Sequence, residues 1–408
     1  MLKKLTLLLF SSLLFSCVSL KKHYLNTVGT QNHTGALIFN QNKGKVVFQY
    51  NSEAHFIPAS TLKLVPALIT KQVHPDHIPL VLYNTQGDSL HLKPTGDPTL
   101  WHPKLHQSQF DSILEAHEHL IIHLNDKETV SPYAPGWSWD DYDRYYSAEL
   151  SMMPIAGNQV YINPLDSLNS SVYPDFFKDN VRVEAEVPKF RRAKTKNEFV
   201  IAASQKDSLS IPFIYNKIDL SGLISALSAK DVQITTESEM TTTWTTLKGI
   251  ESDSIIKYML EKSDNFLAEQ MLLLNSKHLY NSFEIDSLIQ NQKKELGIKG
   301  RWVDGSGLSR YNLISPKELT QVLIQFKKEN SLAYIQEILP KRTLNIDNTT
   351  VHFYGKTGSM SGVYNYVGLV QTKKKNEVFF ALFQNNALEG RVLRRRLNAY
   401  LKWVYLHF

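Results

Sequence analysis

The segment "FIPASTLKLVPALIT", Phe56 to Thr70, sets a serine and a lysine, Ser60 and Lys63, three residues apart in an otherwise apolar run. Residues at that separation share one face of a helix, so the lysine amine could take the proton from the serine hydroxyl and make it a nucleophile. The spacing also suits two ordinary jobs. Ser60 could cap the helix, and Lys63 could carry its ammonium out to water along an apolar stem. The S-x-x-K pattern recurs at Ser19 to Lys22 and at Ser254 to Lys257, so it does not choose between these readings alone. Two stretches in the last third of the chain carry further reactive groups. "EKSDNFLAEQ" holds Ser263, Asp264 and Asn265, and "YGKTGSMSG" holds Lys356, Thr357 and Gly358. Each has a plain explanation by itself: a turn or cap for the first, an exposed strand edge with a glycine bulge for the second.

The elements that must hold these groups can be read from pattern. "TGALIFNQNKGKVVFQY" reads as strand, turn at Asn42 and Gly44, and strand, with the Ser60 helix following at once. Pro58 suits a helix entry, and Pro66 should bend or shorten the helix after Lys63 by removing a backbone bond. From about Pro79 to about Thr236 the pattern changes to short strands and turns, including "GDPTL" at Gly96 to Leu100 and the aromatic loop "PGWSWDDYDRYY". This stretch reads as an insertion, taken as residues 81–236, between two flanking parts of one domain at 24–80 and 237–408. Its Trp137, Trp139, Asp140 and Asp141 could meet a substrate, though aromatics in an inserted domain more often pack. Helical periodicity returns in "SDSIIKYMLEKSDNFLAEQMLLL". A hairpin, "YNYVGLVQTKKKNEVFFALFQNN", and an amphipathic helix from about Arg391 close the chain.

With 408 residues, 42% of them hydrophobic and 11% aromatic, the chain is long enough for two or more domains with a real core. Its 45 basic and 39 acidic residues give +6, spread along the chain, which fits solvated surface better than a nucleic-acid partner. There is no zinc spacing, no phosphate-cradling glycine loop, no repeat and no low-complexity tract, so neither a metal nor another cofactor is expected. "MLKKLTLLLFSSLLFSC" has Lys3 and Lys4 and then an apolar stretch, Leu5 to Phe15, too short to span a membrane. It fits a secretory leader over residues 1–17. Cys17, the only cysteine, stands after "LFS", which resembles a lipobox. Export, lipidation of Cys17 and anchoring to a membrane in the cell envelope are expected, and no intramolecular disulfide can form.

Taken in order, S-x-x-K, S-x-N and K-T-G are the trio of penicillin-binding proteins and serine β-lactamases. With "GDPTL", with "GWSWDDYDRYYSAELS" followed by "GNQV", and above all with "VDGSGLSRYNLISP", the chain resembles the D-alanyl-D-alanine carboxypeptidase/endopeptidases called class C low-molecular-mass penicillin-binding proteins, peptidase family S13. The resemblance covers most of the mature chain. It implies an α+β fold: a transpeptidase-like domain of helices around an antiparallel sheet, carrying a large, β-rich inserted domain between the first two motifs. Four features depart from the pattern: a shorter insertion, "LPKRTLNID" in place of a glycine-bearing turn, Ser359 in place of threonine after K-T-G, and Pro66.

The resemblance also implies roles. Ser60 is the acyl-accepting nucleophile and Lys63 the general base, kept partly neutral by burial and by Lys356 as a second cation. Ser263 relays a proton towards the leaving amine, and the Asn265 amide holds the acyl portion. Lys356 and Thr357 suit a terminal carboxylate, Gly358 lets the substrate strand come close, and the backbone N–H groups of Ser60 and Ser359 form an oxyanion hole. Peptidoglycan stem peptides are the expected substrates and β-lactams the covalent inhibitors. A serine β-lactamase and a non-catalytic peptidoglycan-binding lipoprotein are the alternatives, although the E-x-x-L-N loop that class A lactamases use for deacylation is absent.

Overall fold

A computed structural model of the chain describes residues 20–29, 32–164, 170–187, 189–236 and 243–408. Residues 1–17, expected to be a leader, and with them Cys17, lie outside the described residues. The chain packs into two compact units, one made of the residues up to Leu68 with Leu260–Ser263 and Asn291–Phe408, the other of Ile69–Met259 and Asp264–Gln290. The stretch 81–236 falls wholly within the second unit, which also takes in chain on either side of it.

The first unit is built on a six-stranded antiparallel sheet. Its strands run in the order Lys341–Ile346, Thr349–Met360, Val363–Gln371, Glu377–Asn385, His33–Asn40, Lys45–Tyr50. The expected strand-turn-strand opening and the closing hairpin both form. Val363–Gln371 is buried on both faces along almost its whole length, as a strand must be when helices cover the sheet on each side. On one face the amphipathic helix Gly390–His407 presses Leu393, Leu397, Tyr400, Leu401 and Val404 against Ile38, Phe353, Tyr366 and Phe380, and residues 20–28 complete that core through Tyr24 and Val28. On the other lies the helix Pro316–Glu329, against Glu377–Asn385 and His33–Asn40. "SPKE" starts that helix with a full set of signals: proline in the first turn, and a box in which Ser315 and Glu318 satisfy each other's backbone N–H groups.

The second unit carries a five-stranded mixed sheet, in the order Asp231–Thr235, His119–His123, Ser89–Pro94, His77–Gln86, Thr245–Glu251. Two three-stranded sheets accompany it. Because Thr245–Glu251 pairs with His77–Gln86, chain from both ends of the stretch 81–236 is sewn into the same unit.

Two local expectations change. Pro66 neither bends nor shortens its helix: Ala59–Lys63 forms a separate 3-10 turn and the α-helix starts afresh as Leu64–Val73. Pro66 therefore sits in the first helical turn, where the missing N–H has no intrahelical partner to lose. The helical run through "EKSDNF" is also broken. Ser252–Lys262 ends, Ser263 takes a left-handed φ of 56°, and Asn265–Tyr280 begins behind Asp264 as N-cap. Among the described residues, no helix is long and apolar enough to cross a membrane.

Candidate active site

Ser60 stands on the 3-10 turn Ala59–Lys63, and the cap of that turn is Pro58, with no side-chain cap bond. The hydroxyl therefore serves no capping role; it lies 3.0 Å from Lys63 Nζ. Lys63 does not reach water. It is fully buried, and its ammonium donates to the Ser306 carbonyl at 2.8 Å. A buried ammonium needs such partners, because removing it from water is otherwise prohibitive.

The turn is clamped by its surroundings within the first unit. The Asn365 amide donates to the carbonyls of Ile57, at 2.8 Å, and Pro58, at 3.0 Å, while its oxygen accepts from Gln384 N and from Asn385 Nδ2. The Asn385 oxygen accepts from Ile57 N at 2.7 Å. On another side, a Cβ at Gly307 would meet the Ala59 carbonyl oxygen at 2.0 Å, and Gly307 has φ 76°, so only glycine fits there. The loop bearing Ser306 and Gly307 is folded around Asp304. Its buried carboxylate accepts from Gly307 N, Ser309 N and Asn312 Nδ2 at 2.7 to 2.8 Å.

K-T-G lies on Thr349–Met360. Lys341–Ile346 pairs with that strand only up to Tyr354, and the Ser60 turn packs against the remainder. The register with Val363–Gln371 runs unshifted through Ser359, so there is no glycine bulge. At Gly358 a Cβ would come within 2.4 Å of the Pro58 carbonyl oxygen, so its bareness admits the chain's own Ser60 turn. Nor is Lys356 exposed. It is 3% accessible and donates to Ser263 Oγ at 2.8 Å and to the Thr357 carbonyl at 3.0 Å. Burial, and then the neighbouring Lys63 charge, push the Lys356 ammonium down to about 7.

Thus Ser60, Lys63, Ser263, Lys356 and the Thr357–Ser359 strand belong to the first unit, joined by Lys63–Ser60 and Lys356–Ser263 contacts. Asn265 belongs to the second unit, where its amide donates to the Tyr146 carbonyl at 2.9 Å. Asp264, for which the sequence suggested no firm role, caps the helix by accepting from Leu267 N at 3.0 Å. In the aromatic loop the packing expectation does not hold for Trp139, which is 71% exposed, with the Lys194 ammonium 4.5 Å over its ring. Reading the sequence for chemistry passes over Asn365, Asn385, Asp304 and the Ser306 carbonyl. Their signal was there in part: an asparagine in the apolar run "VYNYVGLV" and an aspartate in "VDGSG" ask for buried partners.

The model of the D-Ala-D-Ala carboxypeptidase 3 (S13) family matches residues 19–244 and 228–405. The chain belongs to the S13 family. Among curated proteins, it is 30% identical over 156 residues to the D-alanyl-D-alanine carboxypeptidase DacB of Haemophilus influenzae, a stretch that is 33% of this chain and 32% of that protein. It is 28% identical over 160 residues to the penicillin-sensitive carboxypeptidase A of Dictyostelium discoideum, 34% of this chain and 30% of that one. These alignments span about a third of each relative. Penicillin-binding protein 4 of H. influenzae has a similar fold, with a TM-score of 0.73 at 19% identity, covering 95% of this S13 chain and 99% of that one. The same protein has been solved in complex with a β-lactam, and that structure matches with a TM-score of 0.65 at 20% identity over 95% and 99% of the two chains.

Proposed function

We propose that this S13 protein is a serine D,D-peptidase of the bacterial cell envelope. In this reading it cleaves D-Ala-D-Ala ends, D-Ala-diaminopimelate cross-links, or both, in peptidoglycan through an acyl-enzyme on Ser60. The observation that carries the reading is the buried Lys63 ammonium, 3.0 Å from Ser60 Oγ and held in place by the Ser306 carbonyl. Lys63 in its neutral form takes the Ser60 proton as Oγ bonds to the scissile carbonyl carbon. The backbone N–H groups of Ser60 and Ser359 receive the oxyanion, a contact worth roughly 3 kcal/mol per donor in serine hydrolases. Collapse breaks the C–N bond, and the proton passes through Ser263 to the departing amine. Water then hydrolyses the Ser60 ester and restores the serine. Lys356 and Thr357 receive the terminal carboxylate, and Asn265 holds the acyl portion. β-Lactams, which the H. influenzae structure holds, would acylate Ser60 in the same way. Residues 81–236 form the inserted domain, residues 1–17 direct export, and acylated Cys17 anchors the chain to a membrane.

Incubating the purified protein with a fluorescent penicillin and mapping the adduct tests the reading. We expect one adduct, on Ser60, absent in Ser60→Ala. Lys63→Arg, which keeps the charge but cannot lose a proton, should label slower by roughly 100-fold or more. Labelling of the alanine variant, or equal rates for arginine and lysine, would overturn the assignment. An adduct that is rapidly hydrolysed would instead identify a β-lactamase.

A further inference from the structure

One end of the six-stranded sheet gathers segments that are far apart in the chain. The turn at residues 41–44 lies beside the turn at 372–376: Gln41 N donates to the Glu377 carbonyl at 2.8 Å, and Glu377 N to Asn42 Oδ1 at 2.7 Å. The last residues of the closing helix reach the second turn, where Asn376 Nδ2 donates to a Phe408 backbone oxygen and Lys374 Nζ to the His407 carbonyl, each at 2.6 Å. The helix at 20–28 starts there as well, its His23 ring stacked 4.9 Å from Trp403. Lys43 and Lys45 come from the first turn, Lys373 to Lys375 from the second, Lys21 and Lys22 from the helix start, and Lys402 from the closing helix; all eight are exposed. The acidic side chains on these segments and the adjoining turn are Glu377 and Asp347, and Asp347 pairs with Lys402 at 2.8 Å. The net +6 of this one end equals that of the whole chain, so a basic excess that looks spread along the sequence is collected in one place by the fold. Leu20, Tyr405, Leu406 and Phe408, only half-buried on the core, add apolar surface beside the lysines. The Ser60 turn lies at the other end of the sheet. Asn365, which clamps that turn, and Lys373 are separated along Val363–Gln371 and its exit by about 25 Å, at about 3.3 Å per residue.

We propose that this end of the sheet docks on an anionic phospholipid surface and holds Ser60 away from it. Exposed lysines on two turns and two helix ends are drawn by the summed potential of a charged surface and need no shaped pocket. The path of the chain favours a membrane over a dissolved polyanion. Cys17 stands three residues before Leu20, so an acyl chain on it starts no more than about 10 Å from the helix that carries Lys21 and Lys22. An acyl anchor binds a membrane more firmly when a basic patch lies beside it. The orientation rests on the anchor proposed at Cys17; the attraction of the lysines does not.

Co-sedimentation with lipid vesicles tests the proposal, using the mature chain, residues 17–408, with Cys17→Ser so that no acyl chain contributes. At low salt it should bind vesicles of equal parts phosphatidylcholine and phosphatidylglycerol roughly tenfold or more tighter than vesicles of phosphatidylcholine alone, and high salt should erase the difference. The triple variant Lys373→Gln, Lys374→Gln, Lys375→Gln should lose roughly tenfold in affinity for the anionic vesicles, and the pair Lys43→Gln, Lys45→Gln, on the neighbouring turn, roughly threefold. A second triple variant, Lys127→Gln, Lys178→Gln, Lys206→Gln, removes the same charge from exposed positions of the second unit and should lose far less. No preference for the anionic vesicles, a preference that survives high salt, or equal losses in the two triple variants would overturn the proposal. If the first triple variant folds poorly, the pair decides. Bound to vesicles, the protein should react with fluorescent penicillin at its free rate; a rate lowered by binding would turn Ser60 towards the bilayer and overturn the orientation. Should penicillin leave the protein unmodified, or mass spectrometry of protein taken from bacterial envelopes find Cys17 unacylated, that part of the proposed function fails, while vesicle binding still judges the lysine surface.

Discussion

In the proposed mechanism Lys356 must be charged to attract a terminal carboxylate, but burial and the Lys63 ammonium have pushed it down to about 7. Its charge is present below that value and disappears as the pH rises through it. For a substrate that ends in a carboxylate, kcat/KM should therefore carry a limb that falls above pH 7, and an uncharged ester of the same peptide should lack that limb. Lys356→Ala should remove the limb and lower the reaction of the charged substrate by roughly 10- to 150-fold, the effect of losing a charge-assisted contact of about 1.5 to 3 kcal/mol. Rates measured for both substrates across pH check this. Equal losses for the two, with the whole profile displaced, would leave Lys356 as a tuner of Lys63 only.

The elements around Ser60 explain why that side chain stands where it does. A 3-10 turn of five residues cannot hold a reactive geometry by its own hydrogen bonds. It is held from outside, by the strand bearing Asn365, by Asn385 at the end of the neighbouring strand, and by two glycines whose missing Cβ atoms let the turn sink in. Asn365 is fully buried with four polar contacts satisfied. Asn365→Ala would leave the carbonyls of Ile57 and Pro58 with one partner fewer and Gln384 N without its acceptor, at about 1 to 3 kcal/mol per group left unsatisfied. The expected result is a urea midpoint lowered by that order and penicillin labelling slowed as the turn loosens. An unchanged labelling rate in a folded, destabilised variant would show that the asparagine supports the sheet and not the turn.

Across the whole molecule, neither unit is a continuous piece of chain, since each is assembled from separated segments. A strained group in either therefore bears on the stability of the protein. Asp97, in the "GDPTL" stretch, is such a group. Its Oδ1 accepts from Thr99 N and Thr99 Oγ1, its Oδ2 is buried without a hydrogen-bond partner among the described residues, and burial raises its pKa to about 7. The unfolded chain loses this proton near 3.9 and the folded chain near 7, so between those values the folded state binds more protons. Stability should fall as the pH rises across that window, by a few kcal/mol at most, and change little from this source above it. Asp97→Asn keeps the acceptor for Thr99 and carries no charge. Its stability should vary less between pH 5 and pH 8 than the wild type's, as urea melts at the two values would reveal. Parallel pH dependence in the two proteins would place the ionisation elsewhere.

Reading the sequence alone reached the trio, both hairpins and the closing helix, because these rest on local pattern: residue spacing on a helix face, alternation along strands, and turn residues between them; the α+β class came with the family resemblance that the trio and its companion motifs carry. It also made the Ser60 and Lys63 pairing a question worth asking. It could not decide that question. Whether Lys63 lies buried at Ser60 or out in water depends on the Ser306 carbonyl, 243 residues further along the chain, and no spacing within "STLK" encodes that. The same limit applies to Pro66, harmless because tertiary packing ends the 3-10 turn before the α-helix starts, and to Gly358, whose reason is the Pro58 carbonyl from a distant segment. The break at Ser263 is intermediate. Its serine and aspartate are ordinary cap residues, but the periodic leucines on both sides read as one helix. Local chemistry determined which groups the protein carries, and long-range contacts alone decided which of them are buried together, because burial is a property of neighbours that sequence separation does not reveal.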